Sequence, residues 1–144
     1  LDLPLTLEYL ETHGVPVVSV GQAQFPAFFT RESGLNADFQ LDDAVALADF
    51  ISTKWQLGLS GGVVVANPVP EAHAMPKAEI DAMTEQALRE ADEQGVCGKA
   101  VTPFLLARIK QLTGGRSLDT NIALVKNNAR LGAALAVQLA QTAA

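Results

Sequence analysis

Two asparagines carry the strongest chemical signal in this sequence. Asn121, Leu124, Val125, Asn128, Leu131, Gly132, Leu135 and Leu139 recur at i, i+3, i+4, i+7 spacing, which sets them on one helical face. The amides of Asn121 and Asn128 thus interrupt an apolar stripe. An amide buried without a partner costs about 1–3 kcal/mol, so each must find one. One reading gives each a structural hydrogen bond to a loop or a neighbouring helix. The other has Asn121, one turn into the helix, present its amide to a ligand. Asn67 is a third amide of interest. It follows the apolar run Val63–Ala66, and ligands of open α/β sheets sit beyond the carboxyl ends of strands. Its alternative role is an Asx-turn ahead of Pro68.

Other polar groups are less specific. Gly114-Gly115-Arg116-Ser117 leads into a helix start, whose backbone N–H groups can hold a phosphate. A glycine stop followed by a serine cap has the same sequence. Arg31-Glu32-Ser33 suits either a charged substrate or an exposed loop ion pair. His13 and His73 have no cysteine or carboxylate at ligand spacing, so no metal site is expected within this chain. Cys97 has no local base and reads as structural or unreactive. Asp42 and Asp43 read as a helix cap. No P-loop, G-x-S-x-G elbow or full dinucleotide fingerprint is present.

The elements that must position these residues follow from periodicity. Asp2 caps a first helix with Pro4 in its first turn; Leu3, Leu7 and Leu10 form its apolar face, and Gly14 stops it. Val15–Val20 reads as a strand with Pro16 at its start. Phe25–Thr30 is a second extended candidate, and residues 31–41 read as a polar, turn-rich connection. A second helix carries Ala44, Leu47, Ala48, Ile51 and Trp55 on one stripe and ends at Gly58. Val63–Ala66 is the clearest buried strand. Pro76 opens a third helix with Ile80, Met83, Ala87 and Ala91 inward, ending at Gly95. Thr102 and Pro103 are the cap and first residue of a fourth helix to residue 112. Ser117 caps a fifth, reaching about residue 141. Strands separated by helices predict an α/β layer structure with a mixed or mostly parallel sheet.

Composition narrows the function. Among 144 residues, 10 are Lys or Arg and 16 Asp or Glu, a net charge of −6, with 49% hydrophobic and 18% charged. That excludes a disordered chain, and the acidity argues against nucleic acid as a partner. The single cysteine leaves no internal disulfide and fits a reducing, cytoplasmic compartment. No apolar run approaches the roughly 18 residues of a membrane span, and no basic leader opens the chain, so no membrane partner is expected. The sequence opens at Leu1, already amphipathic, and reads as a piece of a longer or processed chain. Two or three strands make a poor sheet alone. The strand at 63–66 is therefore expected inside a sheet wider than this chain builds.

The strings LTLEYLETHGVPV, FPAFFTRESG, KWQLGLSGGVVVANPVPE, GKAVTPFLLARIKQLTGGRSL and NIALVKNNARL resemble the C-terminal half of the pseudouridine-5′-phosphate glycosidase family, the indigoidine-synthase-A-like proteins. The resemblance runs the whole length in order. It implies reversible cleavage of the C–C glycosidic bond of pseudouridine 5′-phosphate to uracil and ribose 5-phosphate. A lysine amine attacks the ribose and forms a ring-opened imine, and a glutamate transfers protons. A divalent metal, typically manganese, sits near phosphate and base. The implied fold is a large α/β/α sandwich, commonly a homotrimer.

The resemblance also implies what this chain lacks. The family's lysine lies just upstream of Leu1; the glutamate, the metal-binding aspartate and most phosphate contacts lie further upstream. Lys54, Lys77, Lys99, Lys110 and Lys126 stand elsewhere in the pattern, and none takes the lysine's role. Asn121, in the match to SLxxNIALVxNNA, carries over as a substrate contact. Residues 1–144 are thus expected to be the C-terminal half of one domain. That half partners the N-terminal half, contains neither the catalytic residues nor the metal site, and is inactive alone. Two alternatives stand beside this reading. One is a non-catalytic module for oligomerisation or ligand binding. The other is a pigment-pathway relative acting on another phosphorylated, nucleoside-like compound.

Overall fold

The computed structural model describes residues 2–142; Leu1, Ala143 and Ala144 lie outside the described residues. The first helix, α1 (Leu3–Thr12), starts where expected: the Asp2 carboxylate accepts from the Leu5 N–H at 3.1 Å. Gly14, at φ +65°, ends it. Leu3, Leu7 and Leu10 are only half-buried, and no α1 residue is fully buried. The chain continues through β1 (Val17–Val20), β2 (Phe39–Leu41), α2 (Ala44–Gln56) and β3 (Val64–Ala66). A 3-10 turn at Glu71–His73 leads to α3 (Lys77–Glu93), and another at Gly98–Ala100 to α4 (Val101–Leu112) and α5 (Arg116–Thr142).

The three strands form one parallel sheet in the order β2-β1-β3, so the protein is of the α/β class. Val18 faces Phe39 on one side and Val65 on the other. Val17, Val18 and Ser19 are buried because neighbours flank β1 on both sides. The Asp43 carboxylate caps α2 by accepting from the Val45 and Ala46 N–H groups, both at 2.9 Å. Leu47, Ala48 and Ile51 are buried.

Several expectations need correction. The second strand is Phe39–Leu41, not Phe25–Thr30. Pro26 lacks a ladder donor, and the segment folds back as a loop, with the Phe25 N–H donating to the Leu35 carbonyl at 2.8 Å. Val64–Ala66 is half-buried rather than buried, because β3 is an edge strand among the described residues. Trp55 is 56% exposed, since nothing in the described chain covers the end of its stripe. The α4 helix begins at Val101, with Thr102 and Pro103 inside its first turn. Ser117 is not a cap: it is buried in the first turn of α5, where the Thr113 hydroxyl oxygen accepts its N–H at 3.2 Å.

Beyond β3, α3 packs on α4 around Met75, Ile80, Ala87 and Ile109. Glu90 and Arg108 pair across this contact through two hydrogen bonds, one of 2.9 Å from Nη2. The Arg108 guanidinium, helped by the Gln86 amide, pulls the Glu90 carboxyl from its ordinary 4.5 to about 2. A depressed folded-state value means the pair stabilises above pH 4.5, and that support is lost as pH falls toward 2. Replacing Glu90 with Gln should therefore lower the unfolding midpoint at pH 7. The gap from the parent should close across that window in a pH series of denaturant melts.

Candidate functional site

The carboxyl edge of the sheet is where the sequence signals converge. Asn67 follows β3 directly, and its Nδ2 donates to Asn128 Oδ1 at 3.0 Å. Next to it, Asn127 Nδ2 donates to the Pro68 carbonyl at 3.1 Å. One helical turn and more toward the start of α5, Thr120 Oγ1 donates to the His73 carbonyl at 2.8 Å. The segment after β3 is thus tied to α5 at three successive positions. Near its other end α5 meets α2, with the Ser52 and Thr142 hydroxyls 3.3 Å apart.

Asn121 precedes Asn127 by six positions, about 9 Å along the helix axis at 1.5 Å per residue. It therefore stands beyond the ends of the strands. It is half-buried, and its side chain has no hydrogen-bond partner among the described residues. No buried side-chain polar atom there is left unsatisfied, so the Asn121 amide is open to solvent or to a ligand. Asn128, by contrast, takes the structural role: it is exposed and bonded to Asn67. The Asn67 amide nitrogen is thus engaged by Asn128 and no Asx-turn hydrogen bond forms ahead of Pro68, while its Oδ1 has no partner among the described residues.

Asn127 was not on the predicted stripe. The seam that the fold buries or half-buries runs Ser117, Thr120, Leu124, Asn127, Leu131, offset from the purely apolar stripe. Val125 is 58% exposed, and Gly132 is exposed too. The signal in the sequence was the same 3-4-3-4 spacing, read with Ser, Thr and Asn admitted to it.

The remaining candidates resolve into structural roles. Arg31 makes no ion pair among the described residues; its Nη1 donates to the Val69 carbonyl at 3.0 Å and braces the segment after β3. Ser33 donates its hydroxyl to the Phe25 carbonyl. Arg116 pairs with Glu79 and holds that carboxyl below its usual range by hydrogen bonding, so Gly114-Gly115-Arg116-Ser117 builds the α4–α5 corner. Gly114 and Gly115 supply the turn at φ +60° and +93°. His13 packs on Tyr9 with ring centroids 4.4 Å apart, His73 offers its carbonyl to Thr120, and Cys97 is exposed.

Lys54 was placed on no face by the sequence, yet it is 8% exposed. Its amine donates to the carbonyls of Leu59, Ser60 and Gly61 at 3.0, 2.6 and 3.1 Å, closing the segment between α2 and β3. Lys77 pairs with Asp81. Neither amine is poised as a nucleophile. Among the described residues no three His, Cys, Asp or Glu side chains converge as a metal centre requires. Among the described residues one cleft of about 450 Å³ lies between Asp2–Pro4, Glu32 and Lys77, and another of about 850 Å³ lies between Phe39, Phe50 and Leu59. Asn121 lines neither, so any wall opposite its amide is not built by these clefts.

A parallel α/β sheet with loops and an amide-bearing helix at its carboxyl edge defines the class. The model of the family described as indigoidine synthase A like protein matches residues 1–138, and the chain belongs to that family. It is 66% identical over 143 residues to the pseudouridine-5′-phosphate glycosidase of Cupriavidus pinatubonensis, covering 99% of this chain and 46% of that protein. It is 59% identical over 139 residues to the glycosidase of the same name from Caldanaerobacter subterraneus subsp. tengcongensis, covering 96% of this chain and 45% of that protein. Among solved structures it resembles the prealnumycin C-glycosynthase AlnA in complex with ribulose 5-phosphate, at TM-score 0.85 and 31% identity, covering 99% of this chain and 47% of that one. It also resembles an indigoidine synthase A-like protein from Thermotoga maritima, at TM-score 0.83 and 35% identity, covering 96% and 46%. The chain spans about half the length of these relatives. No helix among the described residues is long and apolar enough to cross a membrane.

Proposed function

We propose that this chain is the C-terminal half of the single domain of a pseudouridine-5′-phosphate glycosidase, in which Asn121 contacts the substrate. The observation that carries the reading is the open Asn121 amide, standing beyond the carboxyl edge within a chain 66% identical to a protein of that name. The substrate is a phosphorylated ribose joined to uracil by a C–C bond. The departing carbon is a poor leaving group, so cleavage needs an electron sink at the sugar carbon. An imine formed by a lysine amine supplies one. The resemblance places that lysine in the part of the longer protein that this chain does not span, and Lys54 and Lys77 are engaged by loop carbonyls and by Asp81.

Within this chain Asn121 has a positioning role. Its amide both donates and accepts, which suits a ring-opened sugar hydroxyl or a uracil edge. Thr120 and Asn127, anchored to the segment after β3, hold the helix on either side of it. The divalent metal that the resemblance implies has no donor set among the described residues, and no step here passes through it. Assembly as a cytoplasmic homotrimer belongs to the same proposal.

The test is Asn121→Ala in the full-length protein. The parent should release uracil from pseudouridine 5′-phosphate, and the variant should lose about 10- to 100-fold in kcat/KM, the worth of one or two lost hydrogen bonds. Absence of release by the parent defeats the substrate assignment. An unchanged kcat/KM in the variant defeats the role of Asn121. A second reading rests on the likeness to AlnA, which was solved in complex with a different phosphorylated sugar, ribulose 5-phosphate. Turnover of such a sugar phosphate in preference to pseudouridine 5′-phosphate would favour it.

A further inference from the structure

We infer that the Arg31 guanidinium holds the phosphate of the substrate at the carboxyl edge of the sheet. The inference deepens the functional reading and rests on it for one point, that the substrate is a phosphorylated ribose.

The chain around Arg31 fixes its place. The connection from β1 to β2 leaves the sheet at its carboxyl edge and is tied to the segment after β3. The Met75 N–H donates to the Phe29 carbonyl at 2.9 Å, and Arg31 Nη1 donates to the Val69 carbonyl at 3.0 Å. Gln22 Nε2 donates to the Arg31 carbonyl at 2.8 Å, and the neighbouring Thr30 is buried. Arg31 is thus held at its backbone and at its tip before a ligand arrives, which lowers the ordering cost of binding one.

The chemistry of that tip suits an oxyanion. A guanidinium carries five N–H donors in a planar fork, and the Val69 carbonyl takes one of them. The others have no protein acceptor among the described residues, and such a fork matches two oxygens of a phosphate. Arg108 shows the usual arrangement: it is half-buried like Arg31, and Glu90 neutralises it. Arg31 has no ion-pair partner among the described residues, in a chain with 16 carboxylate side chains. A partly desolvated cation set apart from carboxylates attracts an anion from outside.

The spacing suits one nucleotide. Val69 stands four positions before His73, whose carbonyl accepts from Thr120, and Asn121 is the next residue of α5. Four residues span at most about 14 Å. A substrate whose phosphate meets Arg31 can therefore extend its sugar or base toward the Asn121 amide.

Calorimetric titration of the full-length protein with inorganic phosphate, at fixed ionic strength, tests this. Arg31→Gln should weaken phosphate binding by roughly 10- to 100-fold while its unfolding midpoint in urea stays near the parent's. Arg31→Lys keeps the charge and loses the fork, and should weaken binding by about 3- to 10-fold. A parent that binds no phosphate overturns the inference. So does parental affinity in Arg31→Gln, or in Arg31→Lys should the Gln variant not fold. Uracil release by the parent with phosphate affinity unchanged in the variant defeats this inference alone. Affinity lost in the variant, with no uracil release by the parent, defeats the glycosidase assignment alone.

Discussion

Assayed alone, the 144-residue chain should release no uracil from pseudouridine 5′-phosphate above the uncatalysed rate, whereas the full-length protein should turn it over. Enzymes commonly accelerate such difficult reactions by 10⁶-fold or more, so the expected loss is on the order of that whole factor. The reason lies in the division of chemistry. In the role proposed for Asn121, positioning lowers a barrier only where a reacting amine is already present. Lys54 is held by three carbonyls and Lys77 by Asp81. Adding back the missing half as a separate polypeptide should restore release if the halves assemble. Turnover by the lone chain would show that an amine within it forms the adduct. Borohydride trapping followed by peptide mapping would then identify that lysine.

Replacing Lys54 with Met should destabilise the protein by about 2 kcal/mol, read as a lower midpoint in urea unfolding. Methionine keeps the apolar stem but removes a charged donor that serves three carbonyls. Hydrogen bonds from charged groups are each worth about 1.5–3 kcal/mol, and water reaching the exposed loop at residues 59–61 recovers part of the loss. Amide exchange at residues 57–62 should quicken in the same variant, while exchange in α3 and α4 stays as in the parent. An unchanged midpoint would show that the loop holds without the amine.

What could be read in advance was whatever depends on a few neighbouring residues. Asp2 and Asp43 cap α1 and α2 because a capping side chain reaches N–H groups two or three residues on. Gly14 and Gly95 end their helices at φ +65° and +66°, angles that glycine alone adopts cheaply. Ile80, Ala87 and Ala91 are buried as the helical period requires. The alternation of strands and helices was enough for a parallel α/β sheet, and long matching strings were enough for the family.

What needed the tertiary structure was every choice between two partners far apart in the chain. Phe39–Leu41 is a strand only because β1 lies beside it; three residues are too few to carry a period. The α5 helix has apolar groups on more than one side, and the segment after β3 selects the side with Thr120 and Asn127. Asn67 and Asn128 are joined by one hydrogen bond across 61 positions, while the Asn121 amide has no partner among the described residues. Lys54 is buried because three carbonyls converge on it, and that convergence exists only once the loop is folded. Burial and pairing are set by which surfaces meet, and local spacing constrains only the surfaces offered.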